Sequence, residues 1–390
     1  MLSIFDEEFA RDPWQVLRSL RDGGGAHRVA TPDGPPAWLV TRYSDVREGL
    51  LDARLSTNLR YSAGADYRGF AVPEPLDVFQ RSDLDELARL RGRVTGQLRR
   101  AGEWSGQAGK LMRERLAELD GAGDFDFVEQ VALPLPALIL GELLGLPDVE
   151  RDALARWAAA TLRPEAAPRA RDTLATMAEI VEAVIAHGRA GSADTMLGRL
   201  VRDESHGPAA DSGELPGLLF YLLFVWYEVL MDVLAGAVLT LSGRPDQLAA
   251  VRTAAESAAP VDELLRFLSP QVLAGPRFAV TDLVIGGKTV AAGETVLLCL
   301  AAANHDPERF ADPGVLDLAR TPNPHVALGH GAHACVGAGL LRPVLGAVLA
   351  ELYGHWPGLH ATVAEREVRW RSGFRHRGPL RLPVHPGATS

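Results

Sequence analysis

The chain has 390 residues, a formal net charge of -10 and 47% hydrophobic residues. That length and apolar content suffice for a large buried core, and the negative charge argues against a broad nucleic-acid or anionic-membrane surface. Lysine occurs only at Lys110 and Lys288 while arginine, alanine and glycine abound, a bias that points to a high-GC, bacterial source.

Met1 to Ala10 carries no basic stretch and no long apolar run, so it reads as neither a signal peptide nor an anchor, and a cytoplasmic location is expected. Val29 to Arg42 reads as strand, turn and strand, with the turn at Thr31-Pro-Asp-Gly-Pro-Pro. From about Asp83 to Gly243 the pattern is mostly helical. In Arg169 to Ala190, for example, Leu174, Met177, Ile180, Val181, Val184 and Ile185 recur at helical spacing. Leu215 to Leu241 is the longest apolar stretch. Tyr227, Glu228 and Asp232 interrupt it, which predicts a buried helix rather than a membrane span. After Leu273 the character changes. Ala279 to Leu300 predicts hairpins turning at Gly286-Gly287 and Ala292-Gly293. A glycine-rich loop surrounds Cys335, and a helix over Leu340 to Tyr353 follows, restrained near its start by Pro343. Short β segments close the chain. The expected fold class is mainly α with small β-sheets (α+β), as one domain over residues 1–390, since neither repeats nor a linker divide it.

Only Cys299 and Cys335 are present, so disulfides do not build this fold. Cys299 lies in the apolar run Thr295-Val-Leu-Leu-Cys-Leu and reads as core. Cys335 sits in His325-Val-Ala-Leu-Gly-His-Gly-Ala-His-Ala-Cys-Val-Gly. Gly329, Gly331 and Gly337 allow tight turns against a flat ligand. The helix predicted after Cys335 offers amides and a dipole that favour a thiolate. Two other readings stay open on residue type alone. Cys335 can be inert core, or His330, His333 and Cys335 can ligate zinc, although no fourth ligand is obvious and the glycines then have no purpose.

Gly329-x-Gly331-x-His333-x-Cys335-x-Gly337 resembles the haem-binding signature of the cytochrome P450 family. Glu263-Leu-Leu-Arg266 resembles its helical Glu-x-x-Arg motif, and i,i+3 spacing lets the two side chains bond. Asp306-Pro-Glu-Arg309-Phe310 resembles the segment whose arginine completes a structural triad with them, and Gly275-Pro-Arg277 the loop whose arginine reaches a haem propionate. With Ala37-Trp-Leu-Val-Thr-Arg-Tyr-Ser-Asp-Val, the resemblance covers nearly the whole chain. It implies a cytochrome P450 fold with haem b between a long central helix and the cysteine loop. It implies Cys335 as the ligand of the iron, Arg91, Arg277 and His333 on the propionates, and Leu328, Gly329 and Gly337 around the haem. It also implies a monooxygenase acting on a small molecule of secondary metabolism, with electrons from a ferredoxin and its reductase, because no flavin or iron–sulfur segment is present.

The central helix departs from the family pattern. Where Ala-Gly-x-(Asp/Glu)-Thr is usual, the chain has Val225-Trp226-Tyr227-Glu228-Val229. The acid remains as Glu228, Val229 cannot relay a proton, and Trp226 replaces the glycine that leaves room for oxygen. Leu222, Val225, Trp226, Val229 and Val233 share a helix face, which predicts an apolar wall over the haem with the indole N–H as its main polar atom. The usual His-x-x-x-Arg is Leu87-x-x-x-Arg91, Leu328 stands for a phenylalanine, and Gly339 for a proline. The pattern therefore predicts a haem-thiolate oxidase with non-standard proton delivery by way of Trp226, Glu228 and Val229. Other chemistry on the same haem (coupling, ring formation, peroxide-driven or non-redox) is the second reading, and a binding module without chemistry the third. Trp226, Tyr61, Tyr67 and Phe70 suggest an aromatic substrate.

Overall fold

Leu215–Leu241 is one helix of 27 residues, about 40 Å long at the α-helical rise. Its first turn is compatible with Pro216, whose missing N–H has no helical acceptor there. A helix apolar on every side belongs inside a protein, and Leu218, Leu219, Leu223, Leu230, Leu234 and Val238 are all buried. The polar interruptions find partners: the Tyr227 hydroxyl donates to the Leu133 carbonyl at 2.5 Å. Packed against this central helix are the helices Pro134–Leu144, Ala170–Ala190 and Ala259–Leu268. The helix Ala338–His355 packs on Ala101–Glu118 and carries Pro343 near its start, as expected. The structure, a computed structural model, describes residues 2–387 apart from 33, 64–71, 99–100, 163–169, 192–193, 207–212 and 372–374. Tyr67 and Phe70 lie outside the described residues.

The N-terminal hairpin forms from Ala26–Val29 and Ala37–Val40, so its first strand ends where the sequence reading starts it. Gly286-Gly287 turns a second hairpin, Leu283–Ile285 with Lys288–Val290. The hairpin expected at Ala292-Gly293 does not form. There the chain turns into Thr295–Leu298, which lies between Ala37–Val40 (parallel) and Arg277–Ala279 (antiparallel) in a five-stranded sheet. The reason is burial: all four residues of that strand are inside, so it needs a neighbour on each edge. This sheet fixes Arg277 opposite Val296.

Glu263 and Arg266 are fully buried and pair in two parallel bonds, Nε to Oε2 at 2.7 Å and Nη2 to Oε1 at 2.8 Å. The third member is Arg320, not Arg309. Arg320 Nε lies 3.1 Å from both Glu263 oxygens. The turn after Leu300–Asn304 points Arg309 outward over the Tyr43 ring, 5.5 Å from its centroid. The loop that follows brings Arg320 back, its guanidinium held by the carbonyls of Ala311 and Val315.

Arg320→Ala should therefore lower the free energy of unfolding by ~1.5–3 kcal/mol, the range for bonds to a charged group. Arg309→Ala should cost less than about 1 kcal/mol, the scale of an exposed cation–π contact. Urea unfolding of the two variants checks the assignment.

Candidate active site

The cysteine loop is anchored before it reaches Cys335. Asn323 Nδ2 donates to Glu263 Oε2 at 3.1 Å, Asn304 Oδ1 accepts from Val326 N at 2.8 Å, and Asp262 lies 3.1 Å from His325 Nε2 and 2.5 Å from Arg342 Nε. Gly329 and Gly331 both adopt φ 71°, where a side chain is strained. The Cys335 amide then closes the loop on the Leu328 carbonyl at 2.7 Å. The thiol comes to rest at the start of the Ala338–His355 helix, bonded by the amides of Gly337 and Ala338. Burial raises its pKa, while those amides, Arg91 and Arg342 oppose the rise.

Arg91, Arg277 and His333 gather beside the cysteine. Arg91 comes from the helix Leu84–Leu98 and donates to the Ala334 carbonyl. Arg277 is 3% exposed, and its Nη1 donates to the Gly275 carbonyl at 2.7 Å. Burial drives its pKa down to about 10. Burial, then Arg277 and Arg91, hold the His333 imidazole down to about 3. No carboxylate is paired with Arg91 or Arg277 among the described residues. Buried cations ordinarily have a counter-charge, so this arrangement fits an anionic ligand with two acceptors. The two propionates of a haem meet that need by charge-assisted bonds. Zinc does not: no metal-holding group of three His, Cys, Asp or Glu exists among the described residues.

The central helix supplies the other side. Trp226 is buried, and its indole rests on the cysteine loop: a Cβ built on Gly337 would overlap Nε1 and lie 2.8 Å from Cε2. The indole N–H has no hydrogen-bond partner among the described residues. Val229 is buried and offers no polar atom. The Val225 side chain lies outside the described residues. Glu228 leaves this face. Its oxygens lie 3.4 Å from Arg371 Nη1 and 3.3 Å from His376 Nε2, on a C-terminal hairpin. The expected trio thus divides, with Trp226 on the cysteine loop and Glu228 in a separate buried cluster. Arg309 is not part of the site and lines a surface groove with Tyr43, Arg47 and His330.

Sequence reasoning missed several residues. Arg371 and His376 sit near the C-terminal end of the sequence, and only the structure brings them to Glu228. Asp232, one turn along from Glu228, carried the only readable signal, a charge in an apolar helix. Tyr221 packs edge-on against Phe79 with ring centroids 4.5 Å apart. It lies within electrostatic range of Arg277 and Arg375, and burial raises its pKa.

A family model described as Cytochrome P450 matches residues 258–353. Among similar proteins, the cytochrome P450 monooxygenase PikC of Streptomyces venezuelae is 34% identical, over 98% of this chain and 93% of its own. The polyketide biosynthesis cytochrome P450 PksS of Bacillus subtilis is 27% identical, over 97% and 96%. The tirandamycin C-bound structure of the P450 monooxygenase TamI superposes with a TM-score of 0.88 at 32% identity, covering 99% of this chain and 100% of that one.

The Trp226–Gly337 contact is directly testable. Gly337→Ala should destabilise the protein by ~1–3 kcal/mol through overpacking. In a Trp226→Ala background the same change should cost much less. A double-mutant cycle on thermal unfolding measures the coupling, and an additive result would place the indole elsewhere.

Proposed function

The chain belongs to the cytochrome P450 family and is a monooxygenase-like oxidoreductase; on that premise we propose that it holds haem b and oxidises a small secondary metabolite. PksS is named for polyketide biosynthesis and TamI holds tirandamycin C, and substrates of that general kind suit this chain. The reading extends to one domain over residues 1–390, working in the cytoplasm with a ferredoxin and its reductase as electron donors.

Cys335 is the iron ligand in this reading. Arg91, Arg277 and His333 hold the propionates, while Leu328 and Gly329 shape the loop that meets the ring and Gly337 is covered by Trp226. The haem supplies oxygen activation when bound, with thiolate ligation favouring O–O cleavage. The observation that carries the reading is that Arg91 and Arg277 have no paired acid among the described residues, beside a half-buried cysteine bonded by two backbone amides. Arg277→Met should weaken haem retention ~10- to 150-fold, the equivalent of ~1.5–3 kcal/mol for a lost charged bond, measured by transfer to a haem scavenger. Cys335→Ser should abolish the thiolate-type absorption of the reduced carbon-monoxide complex. Unchanged retention and spectra in both variants would overturn the assignment.

Proton delivery is non-standard in this proposal. Val229 has no hydroxyl, and Trp226 occupies the space beside the loop. Val229→Thr alone should raise product formed per electron pair less than tenfold, whereas a restored relay is worth ~100-fold or more. The same two residues favour a second reading, oxidative coupling or cyclisation without oxygen insertion. Labelled O2 separates them: label in the product supports oxygenation, and its absence supports coupling.

A further inference from the structure

Tyr221 and Phe224 lie three residues apart on the central helix and so share a face. Both keep partial exposure, whereas Phe220, Leu222 and Leu223 around them are buried. Phe79, on the short helix Val78–Arg81, is also partly exposed and meets Tyr221 edge-on. Phe224 stacks on Phe220 with ring centroids 5.3 Å apart, and Trp157 packs edge-to-face with it at 5.4 Å. The three partly exposed rings are thus held in place from behind by buried ones.

The Tyr221 hydroxyl is deep, because burial raises its pKa and keeps it a neutral phenol. A side chain that is deep and still accessible lines an internal space. Cys335 shows the same combination: burial raises its pKa, yet it is half-buried. Arg277 joins the two sides, since it acts electrostatically on both Tyr221 and His333. The Tyr221 hydroxyl has no hydrogen-bond partner among the described residues, although a buried phenol ordinarily finds one.

The charged groups that act on this hydroxyl are Arg375, Asp77 and Arg277. Asp77 has its own counter-charge, with Arg81 Nε 3.7 Å away. The surroundings therefore favour a ligand atom of negative partial charge over a cation. In the proposed function Arg277 is already shared with a propionate, so the matching group is a neutral oxygen acceptor rather than a carboxylate.

We propose that Phe79, Tyr221 and Phe224 form the substrate-facing wall of the site, that the substrate is a flat conjugated molecule, and that the Tyr221 hydroxyl donates a hydrogen bond to its carbonyl oxygen. The inference rests on the proposed function and names its substrate class. An apolar wall with one placed donor gives both affinity and orientation: the rings take the planar surface, and the single hydroxyl fixes which end of the molecule points along the helix.

The test uses haem-loaded protein and isothermal titration calorimetry with three probes: 2-acetylnaphthalene, 2-ethylnaphthalene of the same shape without the oxygen, and the saturated 2-acetyldecalin. The ketone should bind ~2- to 12-fold tighter than the ethyl compound, the range for one neutral hydrogen bond. Tyr221→Phe, which keeps the ring against Phe79, should erase that difference. Phe224→Leu should weaken 2-acetylnaphthalene by ~2- to 12-fold and change 2-acetyldecalin less than about twofold. Equal binding of the two naphthalenes, or a preference that survives Tyr221→Phe, overturns the role of the hydroxyl. Failure of both naphthalenes to bind, or a decalin preferred over them, overturns the substrate class. Haem loading is read separately from the absorption spectrum. A ketone preference in protein without a haem spectrum overturns the haem reading and leaves this wall standing.

Discussion

The fully buried carboxylate of Glu263 is the constraint on which the cysteine side depends. It accepts bonds from Arg266, Arg320, Asn323 and the Asp317 amide. A buried ion survives only when its lone pairs are filled in this way, and filling them joins the helix Ala259–Leu268 to the loop that carries Asp317, Arg320 and Asn323. Arg266 reaches on to the carbonyls of Asn304 and Pro313 at 2.9 Å. Asn304 then fixes the Val326 amide. The adjacent Asp262 holds His325 and Arg342 on either side of the cysteine. The position of Cys335 is thus set by a charged network some distance away, and the loop needs few contacts of its own.

The opposite side is organised by packing. Trp226 fills space that Gly337 leaves by lacking a side chain, so the central helix and the cysteine loop are in direct register. A large residue on the helix requires the smallest one on the loop. This complementarity ties a departure in one motif to a glycine in another. It also explains why an indole is tolerated where the family pattern has no side chain. Glu228, two residues on, projects to a different side of the helix and into a different set of partners.

Much of this was legible in the sequence, for identifiable reasons. The central helix showed itself by length and continuous apolarity, and the cysteine loop by closely spaced glycines, two of which adopt positive φ. Short motifs single out Arg277 and His333, and the structure brings the two within electrostatic range of each other. Arg309 was misassigned because Arg309 and Arg320 follow the same helix on one loop, and sequence order does not say which turns inward. Thr295–Leu298 was read as half of a local hairpin because its partner strand Ala37–Val40 lies more than 250 residues earlier. The Glu228 cluster was invisible for the same reason: Arg371 and His376 are far along the chain, and a charge in a helix does not name its partner.

Two buried clusters of charged groups remain, one beside Cys335 and one on the central helix. Beside Cys335, Arg91 and Arg277 have no paired acid among the described residues, and burial together with their repulsion keeps His333 neutral. In the proposed function, an anion brought from outside would stabilise that pocket and so couple cofactor binding to folding. On the central helix, Glu228 and Asp232 share the guanidinium of Arg371. For Asp232 the sign follows directly. Its pKa is about 7 when folded, against an ordinary value of 3.8. The folded protein therefore binds more protons between those values, and this group's contribution to stability falls as pH rises across that window.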